Sequence, residues 1–123
     1  MIKNKQLALY SEKKITEVVT VNERAFKNIS SGKKRIEVRK NSKFFSNFEP
    51  GINFYFLDTK SGSKILVETK RINCYKNLND LVENETLELV NPYPDVDDSF
   101  SYYTKIYKGK IQGDWISIHF ERN

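Results

Sequence analysis

Residues 52–75 leave the chain little choice of local structure. INFYFLD (52–58) is dense in aromatic and aliphatic side chains, TKSGS (59–63) is a turn, and SKILVETKRINCY (63–75) is a long return strand. Together they predict a β-hairpin. Three more segments carry strand patterns. ITEVVTV (15–21) is β-branched, and RIEVR (35–39) alternates strictly. In DWISIHFE (114–121), Ile116, Ile118 and Phe120 alternate with Ser117, His119 and Glu121.

Helices fill the intervals. Asn22 caps a short helix running to about Ser31, with Ala25, Phe26 and Ile29 on one face and Gly32 just past its end. Asn77 or Asn79 caps an acidic helix with Leu78, Leu81 and Val82, and after the Asn91-Pro92-Tyr93-Pro94 break a second amphipathic helix spans 97–107. Phe44, Phe45 and Phe48 lie in a loop that reaches the Glu49-Pro50-Gly51 turn. The expected class is α+β, a small mixed β-barrel with helices on its flanks rather than a doubly wound parallel sheet. The expected organisation is an N-terminal arm or edge strand over 1–14 and a single domain over 15–123.

A length of 123 residues suits one domain with a core of its own. No run approaches the roughly 18 apolar residues of a membrane span, and no apolar h-region follows Met1, so no membrane is expected and the expected location is cytoplasmic. One cysteine and one histidine exclude an internal disulfide and argue against a zinc or histidine-rich metal site, so neither metal nor cofactor is expected. Cys74 reads as a small buried apolar residue.

The net charge of +5 is unevenly distributed. KKRIEVRKNSK (33–43) carries Lys33, Lys34, Arg35, Arg39, Lys40 and Lys43 against Glu37 alone. Residues 77–104 contain no Lys or Arg, but hold Asp80, Glu83, Glu85, Glu88, Asp95, Asp97 and Asp98. A basic face of this kind attracts a phosphate backbone, whereas two solvated faces of opposite sign are the plainer reading.

Gly32-Lys33-Lys34-Arg35-Ile36-Glu37-Val38-Arg39 reads G-x-K-x-x-E-x-R. This resembles the signature of the ASCH domain (activating signal cointegrator homology) in the PUA-like superfamily. The preceding I-x-S-G, the F-x-P-G turn, N-L-N-D-L, L-x-L-V-N-P and the closing G-D-W-I-S-I-H-F are similar to landmarks of that family, over about residues 15–121. The resemblance implies a PUA-like β-barrel with short helices around a cleft lined by the signature. It also implies RNA or a nucleotide-like ligand as partner. One bacterial branch hydrolyses the amide of N4-acetylcytidine, and other members are credited with ribonuclease activity.

On a strand, Arg35, Glu37 and Arg39 share one face at about 6.5–7 Å intervals, which sets Glu37 between two guanidiniums. Glu37 then either holds the arginines by ion pairing or accepts from a base amino group while they bind phosphate. Lys34 reads as an anion contact, a partner for the helix C-terminus or a desolvated base. The resemblance implies a catalytic lysine at Lys34 in the amidohydrolase branch, together with a threonine three residues later and a distant glutamate. Here that third residue is Glu37, which favours the ammonium form of Lys34 and opposes its use as a nucleophile. Glu37 would instead be a general base with Lys34 stabilising an oxyanion. Glu85 and Glu88 are the candidates for the distant acid, each also readable as a solvated helix acid. The phenylalanines read as core plugs or base-stacking groups, and His119 as a satisfied surface or cleft residue.

The expected function is binding of RNA or a nucleotide by Lys33, Lys34, Arg35, Glu37, Arg39, Lys40 and Lys43. The alternative is a small hydrolase using Lys34 and Glu37. A further alternative is a protein-interaction domain engaging a partner through 77–104.

Overall fold

The structure, a computed structural model, describes residues 17–123; the arm expected over 1–14 lies outside them. The strands are β1 (Val18–Val21), β2 (Ile36–Lys40), β3 (Asn53–Asp58), β4 (Lys64–Tyr75) and β5 (Trp115–Arg122). The helices are α1 (Glu23–Ser30), α2 (Leu78–Asn84), α3 (Leu87–Val90) and α4 (Ser99–Ile106), with a 3-10 turn over Lys43–Asn47. None of the described helices is long and apolar enough to cross a membrane.

The strands form one curled sheet in the order β1-β3-β4-β5-β2. β1 and β3 are parallel, and the other pairs are antiparallel. The predicted hairpin is β3 and β4, with Tyr55 opposite Leu66. The sheet is a half-barrel whose outermost strands are β1 and β2.

Two cores pack on its two faces. Inside the curl, Phe54, Phe56, Val67, Ile116, Ile118 and Phe120 meet Ala25 and Ile29 of α1, with Phe45 and Phe48 closing the bottom. Outside, Ile36, Val38 and Trp115 meet Leu78, Leu81, Val90 and Tyr103 from the later helices. The alternation of RIEVR is what divides β2 between them. Ile36 and Val38 enter the outer core, while Glu37 and Arg39, opposite Ile118 and Ile116, face the inside of the curl.

Local signals set two helix starts as expected: Asn22 and Asn77 each accept from a backbone N–H one turn later. The last helix begins at Ser99, inside the expected 97–107 span, where Asp98 accepts from Ser101 N–H in the same way. The short α3 has no sequence signal of comparable strength. Two expectations need correction. Cys74 is exposed, because β4 continues past the start of β3 and its last residues pair only with β5. Phe45 and Phe48 are core residues, but Phe44 stands 45% exposed, its ring against theirs.

Candidate functional site

The end of α1 places the signature. Ser31 caps the helix, and Gly32 follows with φ +82°, a left-handed conformation that a side chain would strain. The chain reverses there. Lys34 N–H donates to Asn28 O, and Arg35 N–H to Leu89 O just before the end of α3. Lys34 is thereby wedged between α1 and α3 and buried at 3% exposure.

Its ammonium has three partners: the carbonyls of Ile36 (2.8 Å) and Val90 (2.6 Å), and Glu37 Oε1 at 3.2 Å. Three N–H donors meet three acceptors, so the group is fully satisfied as a cation. Burial pulls its pKa below the ordinary lysine value, and Glu37 opposes that shift. Of the two opposing effects on Lys34, the loss of water is the larger and the neighbouring carboxylate the smaller.

Glu37 is buried too. Its Oε2 accepts from Arg39 Nε at 2.6 Å. Burial works against the carboxylate, but Lys34 and Arg39 outweigh it and hold its pKa below the usual value. Glu37 thus sits between an ammonium and a guanidinium, not between two guanidiniums. Arg35 precedes β2 and turns away, donating its Nε–H to Gly32 O at 3.1 Å.

Arg39 spans the open seam of the half-barrel. Its Nη2 donates to Thr20 O on β1 at 2.6 Å while its Nε holds Glu37 on β2. Burial lowers its pKa, but Glu37 together with Tyr107 and Tyr103 outweighs that and raises it, so the guanidinium is held charged. Beside it opens a cleft of about 380 Å³ between the β1–α1 junction and the segment 91–107. Thr20, Asn22, Glu37, Arg39, Asn91 and the rings of Tyr93, Tyr102, Tyr103 and Tyr107 line it. Arg24 of α1 braces the tyrosine wall, lying 3.9 Å from the Tyr93 ring centroid, 3.4 Å from Tyr102 OH and 2.6 Å from Asp95. Burial raises the Tyr93 and Tyr103 hydroxyl pKa values above the ordinary tyrosine value, keeping both neutral.

Of the residues expected at the site, Lys34, Glu37 and Arg39 come together in the cleft. Lys33 and Lys43 are exposed outside its lining, and Lys40 donates to Lys110 O at 3.0 Å. The spacing of Tyr102, Tyr103 and Tyr107 is that of helix residues packing on the sheet, and it does not tell a core stripe from a cleft wall; Tyr93 carries no pattern at all.

Neither Glu85 nor Glu88 lines the cleft. Glu88 is exposed, but Glu85 is no solvated helix acid. It ends α2 with its carboxylate buried on the outer face of the sheet. There it accepts from Asn73 (3.0 Å), Tyr75 (2.6 Å) and Ser117, and lies 2.8 Å from His119 Nε2. Burial raises its pKa, yet these partners win and hold it below the usual value. Ser117 and His119 both bond to the acid and not to each other. That is a satisfied structural network, with no histidine placed to take a serine proton.

No family model and no curated protein matches the chain in sequence. Solved structures do match. The hypothetical protein PH0355 superposes with a TM-score of 0.71 at 23% identity, covering 89% of this chain and 100% of its own. PF0455 of Pyrococcus furiosus gives 0.61 at 23% identity, covering 88% of this chain and 97% of its own. ASCH from Zymomonas mobilis gives 0.65 at 17% identity over 88% of this chain and 68% of its own. With a curled mixed sheet, short helices on its outer face and these structural neighbours, the chain has the ASCH, PUA-like fold.

Proposed function

We propose that the protein binds a nucleotide, free or within single-stranded RNA, in the seam cleft. The observation that carries this reading is Arg39. Its Nε and one Nη2 hydrogen are spent on Glu37 and Thr20, which fix the plane of the guanidinium, and its remaining N–H groups have no hydrogen-bond partner among the described residues and border the cleft. A fixed planar fork suits a phosphate or carboxylate oxygen pair. The tyrosine wall supplies flat apolar faces, and a base stacked on an aromatic ring gains about 1–3 kcal/mol. Glu37 and Lys34 then act as positioning residues, the buried charges that aim Arg39.

A hydrolytic role for Lys34 and Glu37 has less support. An ammonium with three acceptors has neither a lone pair for attack nor an unused hydrogen for an oxyanion. A carboxylate held between two cations is a weak base.

Isothermal titration of the protein with the four ribonucleoside monophosphates at low salt tests the reading. Saturable binding by at least one, weakened by both Arg39→Gln and Tyr102→Ala, is the expected result. No binding by any of the four, or binding untouched by both substitutions, overturns it.

A further inference from the structure

A second hollow lies behind Lys34. Its volume is about 420 Å³, and Ser30, Gly32, Arg35, Glu121 and Arg122 are among its walls. Two guanidiniums face it from different elements. Arg35 donates its Nε–H to Gly32 O, and Arg122 donates from Nη1 to Ser30 O at 2.9 Å, so both are pinned to the turn that ends α1. The backbone holds them in step, since Phe120 N–H donates to Arg35 O and Arg122 follows two residues later on β5.

Each arginine spends a single N–H donor in this way. Neither has a carboxylate partner within ion-pair distance among the described residues. Glu121, the acid in the wall, lies 3.4 Å from Lys70. The carbonyl end of α1 offsets only about half an elementary charge. Two guanidiniums therefore leave a net positive hollow, with exposed Lys33 beside Arg35 in the chain adding to it. A concave surface concentrates such a field, and forked donors suit phosphate oxygens.

Lys34 lines both the seam cleft and this hollow, so one side chain separates them. We infer that the hollow takes a backbone phosphate of a single strand whose nucleotide occupies the cleft, which makes the ligand a phosphodiester strand rather than a mononucleotide. This rests on the reading of the cleft given above, and it adds a residue pair, Arg35 and Arg122, that the cleft does not use.

The experiment measures the affinities of a labelled hexaribonucleotide and of the mononucleotides over a range of KCl, for the wild type, Arg35→Gln/Arg122→Gln and Arg39→Gln. Arginine Nε–H resonances are followed during the hexanucleotide titration. The wild type should bind the hexamer at least tenfold more tightly than any mononucleotide. The double substitution should weaken the hexamer about tenfold and leave mononucleotides unchanged. It should also reduce the slope of log K against log salt by about 0.7, the share of the one single-strand phosphate held in the hollow. The Arg35 and Arg122 resonances should move with the hexamer, a readout that stands even if mononucleotides fail to bind and the cleft reading falls. Hexamer affinity and slope unchanged in the double variant, or both resonances unmoved at saturation, overturns the inference while leaving Arg39 and the cleft to their own test.

Discussion

Lys34 Nζ and Glu37 Oε1 lie 3.2 Å apart with both side chains under a tenth exposed. An ion pair this deep is weak evidence of net stabilisation, but removing one member strands the other, typically at about 3–5 kcal/mol. Lys34→Met also orphans the carbonyls of Ile36 and Val90. Urea unfolding should show Lys34→Met and Glu37→Gln each strongly destabilised, and the double variant less so than the sum of the two. Additive losses would contradict the coupling.

Acid stability follows from two carboxylates. Glu37 and Glu85 both have pKa values below the ordinary range in the folded protein, since their partners outweigh burial. Near and below the ordinary carboxyl pKa of about 4.3 the unfolded chain binds more protons than the folded one, so stability rises with pH there. The stabilisation is complete above the unfolded value and is lost as pH falls through the folded one. Glu85→Gln should flatten the acid limb of a stability-against-pH curve while leaving nucleotide affinity unchanged. An acid limb as steep as that of the wild type would contradict the role given to Glu85.

Gly32 sets the reversal that carries Lys34 inward, and its φ of +82° is the conformation a β-carbon disfavours. Nothing crowds the position, so the cost of Gly32→Ala is backbone strain alone, about 1–2 kcal/mol. Thermal unfolding should register that loss, and a neutral substitution would contradict the assignment.

Most of the fold was legible because its signals are local. Alternation gave β2 and β5, the Asn caps gave α1 and α2, and the 52–75 hairpin gave the centre of the sheet. The site was legible in part. Lys34, Glu37 and Arg39 could be named from their spacing, but Arg35 could not be separated from them, because the first residue of the strand is set by the Gly32 turn and by the bond to Leu89 O. Burial of Lys34 depends on α3, a single turn without a sequence signal. Glu85 was unreadable for a related reason. Its partners Asn73, Tyr75, Ser117 and His119 come from β4 and β5, and only the pairing of those strands gathers them. Long-range register, more than residue identity, decides which charges are satisfied.

Arg39 is the hinge of the functional reading, and its salt dependence tests that reading most directly. Nucleotide affinity should be measured for the wild type, Arg39→Gln and Arg39→Lys from low to physiological salt. A lysine carries the charge but lacks the fork that holds Glu37 and Thr20 together. The expected result is a wild-type affinity that falls as salt rises, an Arg39→Gln protein at least tenfold weaker at low salt with a shallower dependence, and only partial recovery in Arg39→Lys. Equal affinity and equal salt dependence in all three proteins would contradict the seam cleft as the binding site.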